Sequence, residues 1–334
     1  MNSPSSNNPF VSVVINYYNE KDNVDLAFKS LASQTYHDFE VILVDDGSTD
    51  GTTEKILGGY GNLLNVHVIR LIKNIGLRPA RNMGVRNAKG CIVITLDMHV
   101  QFDSFFLERI VKAFNENSKI GACGCLVLGM GDSWFNKGFR YMEEFSFKIR
   151  ARSGSYKYVF GAAAAFRSEI FELIGYLSEN EITEDEDISW RLAKAGWDVR
   201  LLKDNVVYHK EPSRFVDFTK KLFNIGLRAA PVLLKHKSML IRPQNSIRFI
   251  ALPLCIIFLS LIKVEFVFFL FLCYLVCIPV IFVLTRNEFK KAFYVIPILI
   301  LFIFFTTAGF YYGLMLNILK RIKILKKFSV DIKR

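Results

Sequence analysis

"FEVILVDDGS", residues 39–48, joins a β-rich apolar run to two aspartates, a glycine and a serine. Phe39–Val44 reads as a strand, and Asp45-Asp46-Gly47-Ser48 as the polar turn that ends it. The same grammar appears upstream, where Val11–Asn16 runs into Tyr17-Tyr18-Asn19-Glu20. Residues 22–34 between them carry Val24, Leu26, Phe28 and Leu31 at helical spacing. Downstream, a helix is expected from near Asp50, a strand over Val66–Leu71 and a helix over 78–89. A strand over Cys91–Leu96 and a helix over Phe105–Asn117 follow. Strands alternating with helices at this spacing predict βαβ units, an α/β class and a mainly parallel mixed sheet. Ligands of such sheets bind beyond the carboxyl ends of the strands. Asn19/Glu20, Asp45/Asp46 and Asp97/His99 all fall at that edge.

Past residue 120 the pattern loosens. Ile120–Leu128 reads as a strand, residues 130–155 as a flap or an acceptor surface, and the small residues of Phe160–Phe166 as a close backbone approach to a ligand. Residues 184–187 are all acidic and lead into a helix through Ile188, Leu192 and Ala195, followed by a strand. Trp190 and Trp197 suit the core, whereas Trp134 suits an acceptor surface.

The 334 residues carry a net charge of +12 and are 51% hydrophobic, both unevenly spread. Residues 249–262, 264–285 and 292–316 are nearly uncharged, whereas residues 1–248 resemble a mixed globular region. Basic residues crowd beside the apolar stretches: Lys235, Lys237, Arg242 and Arg248 before them, and Lys320, Arg321, Lys323, Lys326 and Lys327 after. This placement points to anionic membrane lipids and the cytoplasmic face, and argues against nucleic acid. Residues 266–284 and 292–316 are long enough to span a bilayer, while 249–262, with Pro253, suits an in-plane element. The expected topology is multi-pass, with the globular domain and the basic tail (320–334) in the cytoplasm. Arg286, Lys290 and Lys291 run against that orientation. Residues 213–248 are expected as an amphipathic interfacial linker, the alternative being a surface helix packed on the domain. Residues 1–9 read as a disordered lead-in. The six cysteines lack metal-ligand spacing and are expected as reduced thiols.

Five motifs in order resemble the family 2 glycosyltransferases of GT-A fold: "VSVVINYYNE", "SQTYHDFEVILVDDGSTDGT", "NIGLRPARNMGVRNAKG", "TLDMHV" and "TEDEDISWRLAKAGWDV". The likeness covers about residues 10–212, and "HKEPS" with the apolar tail is similar to exopolysaccharide-type members with C-terminal membrane helices. The resemblance implies a nucleotide-sugar site. Asp46 is similar to the family's uracil-contacting aspartate, and Asn19 and Glu20 lie where the family contacts the nucleoside. Arg81 matches an arginine near the diphosphate, which a guanidinium can grip in two places. Asp97 and His99 match the metal motif, with histidine in place of a second aspartate, and His209 resembles a later metal-site histidine. Carboxylate plus imidazole favours Mn2+ over Mg2+. Glu184 and Asp185 match the acidic motif, which makes Asp185 the expected general base of an inverting transfer.

Two departures narrow the reading. The Gln-x-x-Arg-Trp motif of processive synthases is absent, and Asp97-Met98-His99 is not the Asp-x-Asp of the polyprenyl-phosphate branch. The expected activity is therefore transfer from a UDP-sugar to a lipid-linked glycan or polysaccharide. Direct transfer to a polyprenyl phosphate and a non-catalytic scaffold in polysaccharide assembly stand as alternatives.

Overall fold

The computed structural model describes residues 10–152, 159, 161–178, 184–235 and 289–321. By contacts the chain divides into two units. The first comprises residues up to Met130, Ser146–Asn180 and Glu184–Lys210, and the second Gly131–Phe145, Glu181–Thr183 and the chain from Glu211.

The first unit is built on β1 (Val11–Tyr17), α1 (Val24–Ala32), β2 (Phe39–Asp45), α2 (Thr52–Tyr60), β3 (Val66–Arg70), α3 (Leu77–Arg86) and β4 (Ile92–Leu96). After these come β5 (Val100–Phe102), α4 (Phe106–Glu116), β6 (Ile120–Met130), β7 (Ala163–Arg167), α6 (Glu169–Ile174), α7 (Glu184–Lys194) and β8 (Asp198–Lys210). Helix α5 (Trp134–Arg152) lies between β6 and β7. One eight-stranded sheet runs in the order β3-β2-β1-β4-β7-β6-β8-β5. Four of its pairings are parallel and three, at β7 and β5, are antiparallel. The expected α/β class and mainly parallel mixed sheet are borne out.

Every residue of β1 and β2 is buried, because helices cover both faces of the sheet. Val11, Val13 and Ile15 of β1 face one core with Val41, Leu43, Phe28 and Phe106. Val14 faces the other, with Ile42, Val93, Ile188 and Leu192. Full burial of one such side chain contributes about 1.5–3 kcal/mol. The polar residues inside these strands are answered: Ser12 Oγ donates to Glu40 Oε1 at 2.6 Å, and the Lys89 amide donates to the same oxygen at 2.9 Å. Helix α3 lies close on the sheet at Gly84, where a Cβ would overlap Val14 and come within 3.0 Å of Val44 Cγ2. It ends at Arg86, three residues short of the expected helix.

Residues 134–152 are helical, and Phe135, Phe139 and Met142 are buried at helical spacing. Ala163–Ala165 lie in β7, a central strand between β4 and β6, and Gly161 before it lines a small cavity with Arg81. Trp197 packs on the second core, as expected, while Trp190 lies under Lys194 Nζ, which stands 5.1 Å from the ring centroid. Buried Cys123 and Cys125 are free thiols, each pushed up to about 12 by burial, and Cys91 is exposed.

In the second unit, α8 (Phe215–Lys235) and α9 (Phe289–Arg321) pack together with the start of α5. Phe218 and Leu222 of α8 are fully buried against Phe135, Phe139 and α9, so protein covers this part of its apolar face. Gly226 and Gly309 let the two backbones meet, since a Cβ on Gly226 would overlap the Thr306 carbonyl. Within α9, Tyr294–Leu316 is long and apolar enough to cross a membrane by length and composition. Trp134 is half-exposed and stacks on Phe215, with ring centroids 5.8 Å apart. The expected elements at 1–9, 249–262, 266–284 and 322–334 lie outside the described residues.

Candidate active site

Asp97 leaves the end of β4, where its amide donates to the Ala162 carbonyl at 3.0 Å. Three residues on, β5 begins and pairs antiparallel with β8, setting Val100 opposite His209. The Lys210 amide donates to the His99 carbonyl at 2.9 Å. This ladder carries His209 back to Asp97 and His99, and ligand atoms of all three lie within 4.8 Å of one another. The two Nε2 atoms are 3.0 Å apart with the rings edge to face, and His209 Nε2 stands 3.9 Å from Asp97 Oδ2. At that distance one ring nitrogen donates to the other, the direction set by the tautomers. With both nitrogens deprotonated, two imidazoles beside a carboxylate form a donor set that fits a borderline divalent cation.

Arg81 of α3 is buried and fixed on three sides. Its Nη2 donates to Asp97 Oδ1 at 2.6 Å, its Nε to Asn16 Oδ1 at 3.0 Å and its Nη1 to the Gly161 carbonyl at 3.4 Å. Asn16 in turn donates from Nδ2 to the Leu77 carbonyl at 3.2 Å. Asp97 thus turns one oxygen to the guanidinium and the other toward His209.

Glu20 stands behind His99, with its Oε1 3.5 Å from His99 Nδ1 and its Oε2 accepting from Asn23 Nδ2 at 2.5 Å. Burial opposes its charge, but the bonds from His99 and Asn23 outweigh that and hold the carboxyl below the usual range. Asn19, with a positive φ of 54°, ties the end of β1 to the loop after β2. Its Oδ1 accepts the Thr49 amide at 2.9 Å, and its own amide donates to Ser48 Oγ at 3.0 Å.

The paired aspartates divide their labour. Asp45 closes the turn, accepting the Ser48 amide at 2.7 Å and Thr53 Oγ1 at 2.5 Å. Buried Asp46 accepts the Ile75 and Gly76 amides at 2.7 and 3.0 Å, pinning the loop before α3. Asp185 lies in the first turn of α7, where the helix dipole favours a carboxylate. It lines one small cleft with Arg81, Thr95 and Gly161, and its Oδ2 accepts the Gly161 amide at 3.4 Å. Asp187 is instead buried and paired with Arg191 Nε at 2.8 Å. Glu184 begins α7, and its side chain lies outside the described residues.

The structure therefore gathers Glu20, Arg81, Asp97, His99 and His209 through direct contacts, and Asp185 lines the same small cavity as Arg81 and Gly161. Asn19 and Asp46 hold the neighbouring loops. Asn16, Asn23 and Lys210 belong to the same network and escaped the sequence reading. Asn16 alone left a signal there, as the polar last residue of the expected first strand.

Comparison with known proteins identifies the family. Residues 12–175 match the family described as Glycosyl transferase family 2. Glycosyltransferase AglE of Haloferax volcanii is 31% identical over 230 residues, covering 65% of this chain and 72% of AglE. The undecaprenyl-phosphate 4-deoxy-4-formamido-L-arabinose transferase of Proteus mirabilis is 36% identical over 132 residues, only 40% of that enzyme's length. The structure of mannosyltransferase PcManGT from Pyrobaculum calidifontis, in complex with GDP-Man and Mn2+, superposes with a TM-score of 0.66. That superposition covers 88% of this chain and 87% of the other at 18% identity, a likeness of fold. Motif order, sheet topology and the extended match to AglE together establish that this chain belongs to glycosyltransferase family 2 and is a glycosyltransferase.

Proposed function

We propose that the protein is an inverting, metal-assisted glycosyltransferase that moves a sugar from a UDP-sugar to a lipid-linked glycan or polysaccharide at a membrane. The observation that carries this reading is the convergence of Asp97, His99 and His209 beside Arg81, at the edge of the sheet where α/β ligands bind. These three residues would hold a divalent cation, with Mn2+ favoured by the two imidazoles. Such a cation, when bound, supplies Lewis-acid neutralisation of charge on the departing diphosphate.

The protein's own groups do the rest. Arg81 offers a guanidinium to the diphosphate, pre-oriented by Asn16 and Gly161. Asp185 takes the proton from the acceptor hydroxyl as that oxygen bonds to the anomeric carbon and the carbon–diphosphate oxygen bond breaks. Attack opposite the leaving group inverts the anomeric centre. Asp46 spends one lone pair of each oxygen on Ile75 and Gly76. Its role toward a pyrimidine N–H, and so uridine as the base, rests on the motif resemblance of Asp45-Asp46-Gly47-Ser48. The helix Tyr294–Leu316 supports a membrane location, and the basic residues around the apolar stretches support a cytoplasmic catalytic unit in a multi-pass chain. The likeness to the Proteus mirabilis transferase favours one second reading, direct transfer to a polyprenyl phosphate.

The deciding experiment follows nucleoside diphosphate release from a panel of UDP- and GDP-sugars, with extracted membrane lipids or a pure polyprenyl phosphate as acceptor. Turnover of a UDP-sugar that needs Mn2+ and a lipid-linked glycan is expected. Turnover with polyprenyl phosphate alone selects the second reading, and turnover undiminished by a chelator overturns the metal-assisted mechanism.

A further inference from the structure

By resemblance Glu20 belongs to the nucleoside, yet in the structure both of its oxygens are engaged elsewhere. Oε1 faces His99 Nδ1 at 3.5 Å, and Oε2 accepts from Asn23 Nδ2 at 2.5 Å. Asn23 Oδ1 accepts from Lys210 Nζ at 2.6 Å, and the Lys210 amide donates to the His99 carbonyl at 2.9 Å. The contacts close a ring: His99, Glu20, Asn23, Lys210 and back to His99. Lys210 also follows His209 directly, so the ring grips both histidine-bearing segments.

We propose that Glu20 is a positioning residue that orients His99 for a cation, and that Asn23 and Lys210 hold Glu20 in place. The proposal rests on the reading of Asp97, His99 and His209 as a divalent-cation site. The chemistry follows from the two ring nitrogens of His99. A hydrogen on Nδ1, directed at the Glu20 carboxylate, fixes the tautomer that leaves Nε2 bare. Nε2 is the atom that faces His209 Nε2 at 3.0 Å. A carboxylate behind a ligating imidazole locks the ring plane and raises its basicity, and losing such a partner typically costs about 10–100-fold in metal affinity. Asn23 supplies the geometric link, since its amide gives a hydrogen to Glu20 and takes one from Lys210.

The test titrates Mn2+ into the full-length protein in detergent, without nucleotide, and reads free Mn2+ by electron paramagnetic resonance. UDP affinity is then measured at saturating Mn2+. Glu20→Ala is expected to weaken Mn2+ binding by about 10–100-fold. Glu20→Gln should recover part of that loss, because its amide oxygen still accepts from Nδ1. Asn23→Ala should move in the same direction by less, and all three should keep UDP affinity at saturating Mn2+. Unchanged Mn2+ affinity in the variants with weakened UDP binding would return Glu20 to the nucleoside and overturn the assignment. If Glu20→Ala fails to fold, Glu20→Gln and Asn23→Ala carry the same comparison. A wild-type protein that binds no Mn2+ would sink the cation-site reading itself, an outcome distinct because no variant is involved.

Discussion

The Nε2 atoms of His99 and His209 meet at 3.0 Å although 110 positions separate them in the chain. The short ladder between β5 and β8 is the cause, since Val100 stands opposite His209 and the next amide closes on the His99 carbonyl. Asp97 completes a group of three donors, two nitrogens and one oxygen. That composition sets the first prediction. His99→Ala should abolish most Mn2+-dependent UDP binding, whereas His99→Asp should restore it and shift the preference toward Mg2+, an oxygen-seeking cation. Calorimetry with each metal checks this, and equal Mn2+ preference in His99→Asp would contradict the role given to the imidazole.

Asp185 is expected to act on the proton and not on the donor. Asp185→Asn should lower kcat by about 10²–10⁴-fold, the usual worth of a general base, with donor KM little changed. Steady-state kinetics with varied donor separates the two effects. A variant that turns over like the wild type removes Asp185 from the mechanism.

Arg81, 3% exposed, pairs with Asp97, which is 18% exposed. Removing one partner of a fully buried pair costs about 3–5 kcal/mol, an upper bound where the stranded carboxylate reaches solvent. Arg81→Ala should therefore lower the melting temperature as well as donor affinity. Arg81→Lys keeps the charge but loses the fork that reaches Asn16, Asp97 and Gly161 at once, so donor affinity should fall with a smaller loss of stability. Thermal melts and UDP titrations on both variants check the split.

Away from the site, Asp25 joins α1 to α2 by accepting Tyr60 Oη at 2.7 Å and pairing with Lys55 Nζ at 3.0 Å. The Tyr60 bond and then Lys55 hold the Asp25 carboxyl below its usual range. The folded value thus lies below the unfolded one, near 3.9 for a free aspartate, so the stabilisation is complete above about pH 4–5. It is lost as the pH falls through the folded value. Melts of wild type and Asp25→Asn across the acid range should differ most above pH ~5 and converge as the pH falls through the folded value. A difference constant with pH would show that the ionised form of Asp25 is not what holds the two helices.

Much of the frame was legible before any coordinates. Apolar runs ending in Asn19-Glu20, Asp45-Asp46 and Asp97 marked three parallel strands and their ligand edge, because hydrophobic periodicity is written locally and burial on both faces enforces it. The helix at Trp134–Arg152 was also encoded, in the spacing of Phe135, Phe139 and Met142, but its aromatics and charges obscured the pattern.

The sequence by itself determined the α/β class, the family motifs, the acidic start of α7 and the apolar C-terminal helix, each a property of neighbouring residues. Tertiary structure alone decided which aspartate of the 45–46 pair closes its own turn and which pins the loop at Ile75, because only three-dimensional proximity brings that loop's amides to Asp46. It alone turned Glu20 toward His99 and set Arg81 on Asp97, since the partners come from separate loops and from α3. The physical reason is the same in each case. Strand register and helix placement fix where side chains end, and those depend on pairings between segments up to 110 residues apart, as at His99 and His209.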